Sequence, residues 1–161
     1  MGKEIERKFL VIDESWRSMA SRSVSIVQAY LSRRADAVVR LRIAGDRAFI
    51  TIKGANRGIV RNEWEYPLPV TDARQMIEAG LPEGTVISKT RHYLLMPDSH
   101  LWEIDEFHGA LSGLVVAEIE LSDSAESFEK PPFIGREVSD DPRYYNSALA
   151  AASAPPQPTG F

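Results

Sequence analysis

Glu4-Ile5-Glu6-Arg7-Lys8-Phe9-Leu10-Val11 sets Glu4, Glu6 and Lys8 two residues apart, with Ile5, Phe9 and Val11 on the alternate positions. A β-strand sends successive side chains to opposite faces. The three charges therefore share one face and the three apolar residues the other. The spacing returns in Arg40/Arg42, Thr51/Lys53, Arg61/Glu63/Glu65, Lys89/Arg91, Glu103/Asp105 and Glu118/Glu120. One such stretch carries little. A series on successive predicted strands describes a sheet rolled up with its charges inside.

Working outward, strands are expected at 3–12, 24–33, 37–44, 47–53, 59–68, 86–96, 100–107 and 114–121. Gly45-Asp46 and Pro97-Asp98-Ser99 mark turns. Thr71-Asp72 reads as a helix cap, Ala73, Met76 and Ile77 follow at helical spacing, and Gly80 stops the run. Residues 13–23 read as a loop or short helix and 123–129 as a short helix. A last helix at 143–151 opens on Pro142. One domain, 1–152, is expected, with 153–161 a disordered tail. Eight strands suffice to close a barrel. The opposite faces, with Ile43, Ile50, Ile52, Trp64, Tyr66, Trp102, Ile104 and Ile119, need covering, which the helices are expected to supply.

Composition narrows the function classes. The 161 residues are 43% apolar, enough for a real core. No apolar run approaches the roughly 18 residues that span a bilayer, and the charged N-terminus entering a strand does not read as a signal peptide. The chain has no cysteine, which excludes disulfides and thiolate metal sites and fits the cytoplasm. A net charge of −4 argues against a nucleic-acid or membrane surface. Phosphate-loop and dinucleotide glycine motifs are absent. His92, His100 and His108, eight apart, read as loop or surface residues. Acyl chemistry has no support, and a homodimer is left open.

The same-face charges comprise eight acids (Glu4, Glu6, Glu63, Glu65, Glu103, Asp105, Glu118, Glu120) and seven bases (Lys8, Arg40, Arg42, Lys53, Arg61, Lys89, Arg91). The plain alternative is a flat sheet with a solvated face of cross-strand ion pairs. Same-sign doublets fit that poorly, since like charges on one face destabilise a sheet unless something binds them. Arg40/Arg42 and Lys89/Arg91 have the chemistry of anion clamps, because Arg matches phosphate oxygens bidentately and Lys adds a point charge. Glu4/Glu6 and Glu118/Glu120 have the chemistry of hard-cation ligands. The bases nearly balance the acids, so a polyphosphate entering alone would leave a large excess of negative charge. A metal–polyphosphate complex fits better than a bare anion. Tyr30 shares its face with Gln28 and Ser32. A Tyr so placed is ordinarily packing; facing the lumen near Lys8, it would hold that amine.

Taken in order, these residues resemble the CYTH superfamily, the triphosphate tunnel metalloenzymes. The first stretch is similar to its E-x-E-x-K signature. The likeness continues through Gln28-x-Tyr30-Leu31, Arg40-x-Arg42, Thr51-x-Lys53, Glu63-x-Glu65, Lys89-x-Arg91, Asp105-x-Phe107 and Glu118-x-Glu120. It ends with Gly135-Arg136-Glu137-Val138-Ser139 and Tyr145-Asn146-Ser147-Ala148-Leu149-Ala150.

The chain looks like the short bacterial branch, similar to inorganic triphosphatases. That resemblance implies a mainly β, α+β fold: a closed eight-stranded antiparallel barrel with a charged lumen and a few covering helices. It implies hydrolysis of inorganic triphosphate to pyrophosphate and phosphate. Phosphates would be held by Lys8, Arg40, Arg42, Lys53, Lys89 and Arg91, and Mg²⁺ or Mn²⁺ by Glu4, Glu6, Glu118 and Glu120. Glu63, Glu65 and Asp105 become candidate ligands of the metal or of ordered water, and Lys8 with Tyr30 a water-activating pair. Rival readings are a class IV-type adenylyl cyclase, a thiamine triphosphatase with Trp16 or Trp64 as aromatic platform, and a polyphosphate-binding module without catalysis.

Overall fold

A computed structural model of the chain describes residues 2–157, and in it a single antiparallel sheet closes on itself. The strands are β1 (Gly2–Val11), β2 (Arg22–Arg34), β3 (Ala37–Ala44), β4 (Arg47–Lys53), β5 (Val60–Leu68), β6 (Glu83–Leu95), β7 (Leu101–Phe107), β8 (Val115–Glu120) and β9 (Ile134–Glu137). Their spatial order is β5-β4-β3-β2-β6-β7-β8-β1-β9, and the pairing of β5 with β1 closes eight of them into a barrel. The expected architecture, mainly β and closed, is the one observed.

β1 makes the closure by dividing one of its edges. Gly2–Ile5 pair with β5, while Phe9 and Val11 pair with β9; the other edge, from Glu6 to Leu10, pairs with β8. β9 has no counterpart in the sequence reading: its Ile-Gly-Arg-Glu is too short to show an alternation. Gly45 sits at φ +62 in the two-residue turn between β3 and β4, the left-handed conformation glycine adopts without strain.

The outer face of β1, β6, β7 and β8 buries Phe9, Leu94, Trp102, Ile104, Ala117 and Ile119. These are covered by Trp16, from a 3₁₀ helix at Ser15–Met19, and by Leu121, Phe133 and Ile134. On the opposite wall α1 (Val70–Glu78) seats Ala73 on Ile43 and Ala48. That is less cover than expected: Ile52 stays 37% and Tyr66 55% exposed. The lumen face is not charged along its whole length. Tyr30, Val38, Ile87, Phe107 and Val116 share the inward parity but fill one end of the barrel with an apolar layer. Leu111, Leu114, Tyr144, Leu149 and Ala150 pack against it.

Three helix expectations are corrected. The first helix starts at Val70, not after a Thr71-Asp72 cap. Pro69 fixes the entry, and its carbonyl accepts from the amides of Asp72 and Ala73 at 3.0 and 3.2 Å. Residues 123–129 are turn and coil. One local bond, from the Glu126 amide to the Asp123 carbonyl at 3.0 Å, closes a single turn, and the Glu129 amide, which would continue a helix, donates instead to Asp98 Oδ2 at 2.9 Å. The last helix is two pieces, a 3₁₀ turn at Pro142–Tyr144 and α2 (Asn146–Leu149), broken by Tyr145 in extended conformation.

Residues 158–161 of the expected tail lie outside the described residues. In the part described, Pro155 and Pro156 share a surface cavity with Leu10, Trp16 and Tyr144, and Arg143 Nη1 donates to the Gln157 carbonyl at 2.8 Å. No helix among the described residues is long and apolar enough to cross a membrane.

The C-terminal segment is fastened where β6 begins. The Thr85 amide and hydroxyl donate to the Ala150 carbonyl at 2.7 and 2.9 Å, and Arg33 Nε donates to the Ser147 carbonyl at 3.0 Å. Between them Gly84 sits at φ +71, and a Cβ there would lie 2.6 Å from the Ala150 oxygen. Gly84→Ala is therefore expected to cost about 2–3 kcal/mol, from the left-handed conformation and the displaced hydrogen bonds. Urea denaturation measures this; a loss below about 0.5 kcal/mol would show that α2 is not anchored there.

Candidate active site

Strand register decides which charges meet inside the barrel. It sets Lys8 opposite Glu118, Arg91 opposite Asp105, Lys53 opposite Glu63, Thr51 opposite Glu65 and Gln28 opposite Arg42. Every same-face residue named from the sequence shares the lumen face, but they fall into two zones.

The first zone is a closed ionic wall on β6, β7 and β8. Asp105 accepts from Arg91 Nε and Nη2 at 2.8 and 2.9 Å and pairs with Lys89 Nζ at 2.7 Å. Arg91 also pairs with Glu103 and, at 3.6 Å, with Glu118. Burial pushes the Asp105 carboxyl up, but Arg91 and Lys89 outweigh it and hold the group well below the usual carboxylate range. Burial likewise works against the Arg91 cation, and Asp105, Glu103 and Glu118 reverse the effect and raise it. Lys89 is fully buried. Asp105, expected as a ligand of metal or water, is here the counter-ion of two bases.

The second zone opens as a cavity whose wall carries Glu4, Glu6, Lys8, Tyr30, Arg40 and Lys53. Lys53 Nζ donates to Glu4 Oε2 at 2.8 Å and lies 3.9 Å from Glu63. Arg40 Nη2 donates to Thr51 Oγ1 at 3.2 Å, the Thr51 hydroxyl donates to Glu65 at 2.8 Å, and Arg40 lies 3.6 Å from Glu65. The Nε of Arg40 is buried and has no hydrogen-bond partner. Lys8 Nζ donates to the Tyr144 carbonyl at 2.9 Å and lies 3.5 Å from Glu118. The Tyr30 hydroxyl meets Gln28 Nε2 at 3.3 Å. No hydrogen bond joins Lys8 to Tyr30 among the described residues.

These contacts divide the two leading carboxylates. Burial works against ionised Glu4, but Lys53 and a hydrogen bond from Glu6 hold it down at about 2. Burial, Glu118 and Glu4 together raise Glu6 well above the ordinary carboxylate range, and no base among the described residues lies within ion-pairing distance of it. Lys8 is pulled down by burial but raised overall by Glu118 and Glu6, so it stands as an ammonium. Burial, Arg40 and Arg91 lower Arg42 to about 10. Burial raises Tyr30 despite Arg40, Arg42 and Lys8 around it.

Arg42, Glu63, Glu65, Lys89, Arg91, Asp105, Glu118 and Glu120 stand off the cavity wall, and Glu120 is exposed at the end of β8. Arg61, picked on parity alone, is on it, with Nε donating to the Gly54 carbonyl at 2.7 Å. The sequence reading gave no role to Asn56, Ser139, Tyr145, Asn146 or Ser147, which complete the wall. Only their place in a glycine-flanked loop and in the last matching stretches marked them. Among the described residues no three acidic or imidazole side chains already converge on a point that could hold a metal; acids and bases are interleaved.

Glu6 gives these electrostatics a direct test. Its raised value means that the ionised form costs the fold stability. Native stability should rise as pH falls through the folded value and then hold until the other carboxylates protonate. Glu6→Gln is expected to raise Tm in chelator-containing buffer, by about 2–4 °C per kcal/mol relieved in a chain of this size, and to remove that rise. A lower Tm for Glu6→Gln at neutral pH would contradict the charge assignment.

Comparison with known proteins agrees with this geometry. Residues 2–145 match the CYTH domain. The chain is 46% identical over 149 residues to a protein of Acetivibrio thermocellus named inorganic triphosphatase, covering 92% of this chain and 94% of that one. It is 39% identical over 150 residues to the inorganic triphosphatase of Nitrosomonas europaea, covering 91% and 96%. Among solved structures it is similar to the crystal structure of the inorganic triphosphatase NE1496, with a TM-score of 0.67 and 36% identity, covering 94% of this chain and 97% of that one. The inward-facing charge series, the closed barrel and the match over almost the whole chain have one meaning: the chain belongs to the CYTH domain family.

Proposed function

We propose that this protein is an enzyme that hydrolyses inorganic triphosphate to pyrophosphate and phosphate inside its barrel, with Mg²⁺ or Mn²⁺ as cofactor. One observation carries the reading. A single cavity sets the bases Lys8, Arg40, Lys53 and Arg61 beside the acids Glu4 and Glu6, in a fold whose relatives at 46% and 39% identity are named inorganic triphosphatases. A site for a bare anion would have no use for the acids. The lack of cysteine further supports a place in the cytoplasm.

The carboxylates of the lumen fit a hard cation. Glu6, raised by burial and by Glu118 and Glu4, is an oxygen donor without a base at ion-pairing distance, and oxygen donors suit Mg²⁺ and Mn²⁺. Glu4, Glu6 and Glu118 would hold the ion, with Glu120 beside them on β8. Glu63, Glu65 and Asp105, engaged by Lys53, Arg40 and Thr51, and Arg91 with Lys89, are better read as counter-ions. Bound there, a divalent ion supplies Lewis-acid polarisation of a phosphoryl oxygen and acidifies a water.

The chain's own groups do the rest. Arg40 directs its unpartnered Nε to a phosphate oxygen. Lys53, Arg61 and Lys8 spread further positive charge over the polyphosphate, in an in-line transfer whose catalysis is mostly electrostatic. Held as an ammonium, Lys8 donates and does not accept a proton, so it acts as a charge and an orienting donor. Tyr30, buried and close by, offers its hydroxyl to the same region. A cyclase needs a nucleobase pocket. Among the described residues the cavity wall outside the strands carries Asn56, Gly58, Ile59, Ser139 and Tyr145–Ser147, with no tryptophan or phenylalanine for a nucleobase to stack on, which favours the smaller substrate.

Phosphate release from tripolyphosphate, ATP and thiamine triphosphate, with Mg²⁺ or Mn²⁺ and with EDTA, tests the reading. Tripolyphosphate is expected to be the best substrate and EDTA to abolish turnover. Cyclic AMP and pyrophosphate from ATP as main products, or full turnover in EDTA, would overturn it. Lys8→Met is expected to raise KM for tripolyphosphate about tenfold or more while leaving a measurable kcat, the pattern of lost charge complementarity. Loss of kcat with KM unchanged would make Lys8 the proton acceptor instead.

A further inference from the structure

Gln28 is fully buried on the lumen face of β2, in register with Arg42 and two residues from Tyr30 on the same face. Its amide contacts both. Arg42 donates to Gln28 Oε1 through Nε at 3.2 Å and Nη2 at 3.0 Å, and Gln28 Nε2 donates to the Tyr30 oxygen at 3.3 Å. The order of these bonds is forced. A guanidinium has no acceptor, so the atom facing Arg42 must be the amide oxygen. The amide nitrogen then faces Tyr30 and has only hydrogens to give. The phenol oxygen must accept on that side, and its own hydrogen must point elsewhere. Tyr30 lines the cavity, and its next neighbour across β3 is the Arg40 cation, which cannot accept a hydrogen bond either.

We infer that Gln28 is a positioning residue: anchored by Arg42, its amide fixes the Tyr30 hydroxyl as a hydrogen-bond donor into the cavity, toward a phosphate oxygen. This rests on the proposed triphosphatase reading. It sets the direction of one hydrogen bond at the substrate, and gives Gln28, a neutral residue among the lumen charges, a task that a charged side chain in its place would perform wrongly.

The test is the near-isosteric Gln28→Glu. A carboxylate keeps the acceptor for Arg42 but also accepts from Tyr30, drawing the hydroxyl hydrogen out of the cavity. Expected is a kcat for tripolyphosphate lowered roughly three- to tenfold, the worth of one hydrogen bond, with KM raised as well because the carboxylate adds a buried negative charge facing a polyanion. Tyr30→Phe should show the same loss of kcat with KM within about twofold of wild type, and Gln28→Glu in the Tyr30→Phe background should lower kcat no further. Gln28→Met, which removes both contacts, should raise KM as well, and Gln28→Asn checks that length and not merely polarity is required.

Calorimetric unfolding of the same variants in EDTA follows the Gln28–Tyr30 contact without turnover, and the losses in Tm should be non-additive in the same way. Additive losses, an unchanged kcat in Gln28→Glu, or a Tyr30→Phe enzyme equal to wild type would each overturn the inference. Absence of tripolyphosphate turnover in the wild type would instead strike the triphosphatase reading, and the calorimetric cycle would then decide Gln28 alone. A Gln28→Glu protein that does not fold leaves that decision to Gln28→Met paired with Tyr30→Phe, where an additive effect on kcat or Tm overturns it.

Discussion

The Asp105 carboxylate, held between Arg91 and Lys89, is the interaction on which the rest of the lumen depends. A lone charge in a protein interior costs several kcal/mol, and removing one member of a buried pair leaves that cost uncompensated. Here two buried bases share one buried acid, with Glu103 and Glu118 completing the balance around Arg91. On the wall formed by β6, β7 and β8 each buried charge of this cluster thereby has a counter-charge within the protein. The opposite side, where β1, β3, β4 and β5 meet, keeps loose ends: a guanidinium nitrogen on Arg40 without partner and a carboxyl on Glu6 without base. A binding site in such a lumen is where compensation is incomplete.

Compensation also explains why the barrel is not a uniform pore. The inward face changes from Arg40 to Val38, from Lys89 to Ile87, from Asp105 to Phe107 and from Glu118 to Val116 within one step of the strand repeat. A charged layer this close to an apolar layer is shielded from water on one side, which strengthens every ion pair in it. The apolar layer is completed by Tyr144, Leu149 and Ala150. Packing of the C-terminal segment is thus coupled to the chemistry by the Tyr144 carbonyl, which accepts from Lys8. Extended Tyr145, between the 3₁₀ turn and α2, lets that carbonyl reach inward while Tyr145–Ser147 line the cavity.

Strand parity made the barrel legible because it depends on nothing but alternation, and the charges in Glu4-x-Glu6-x-Lys8 or Arg40-x-Arg42 stand out against apolar neighbours. It could not say which charges meet. That is decided by register between strands far apart in sequence: Lys8 is paired with Glu118 and Glu4 with Lys53 by closure of β1 onto both β8 and β5. Hence parity alone does not distinguish Asp105, which pairs with two bases, from Glu6, which has none at ion-pairing distance among the described residues. β9 escaped notice because four residues carry no period. The helix expected at 123–129 does not form beyond one turn because the Glu129 amide is taken by Asp98, a partner distant in sequence that composition does not reveal.

An interleaved lumen has a consequence for what it can admit. Glu4 is held down at about 2 by Lys53, so a cation arriving alone must compete with an ammonium already in place. A polyanion arriving alone must draw Lys53 from Glu4 and Arg40 from the neighbourhood of Glu65, leaving buried carboxylates without partners. Each ion pays for broken pairs when it enters singly. Arriving together they exchange pair for pair: bases turn to phosphate, acids turn to cation, and the lumen's net charge scarcely changes. The coupling follows from Coulomb balance in a water-poor interior and holds wherever the individual ligands sit. It favours a compact ligand of high charge density over one whose charge is diluted by a large neutral group, because only the former replaces all the pairs it breaks.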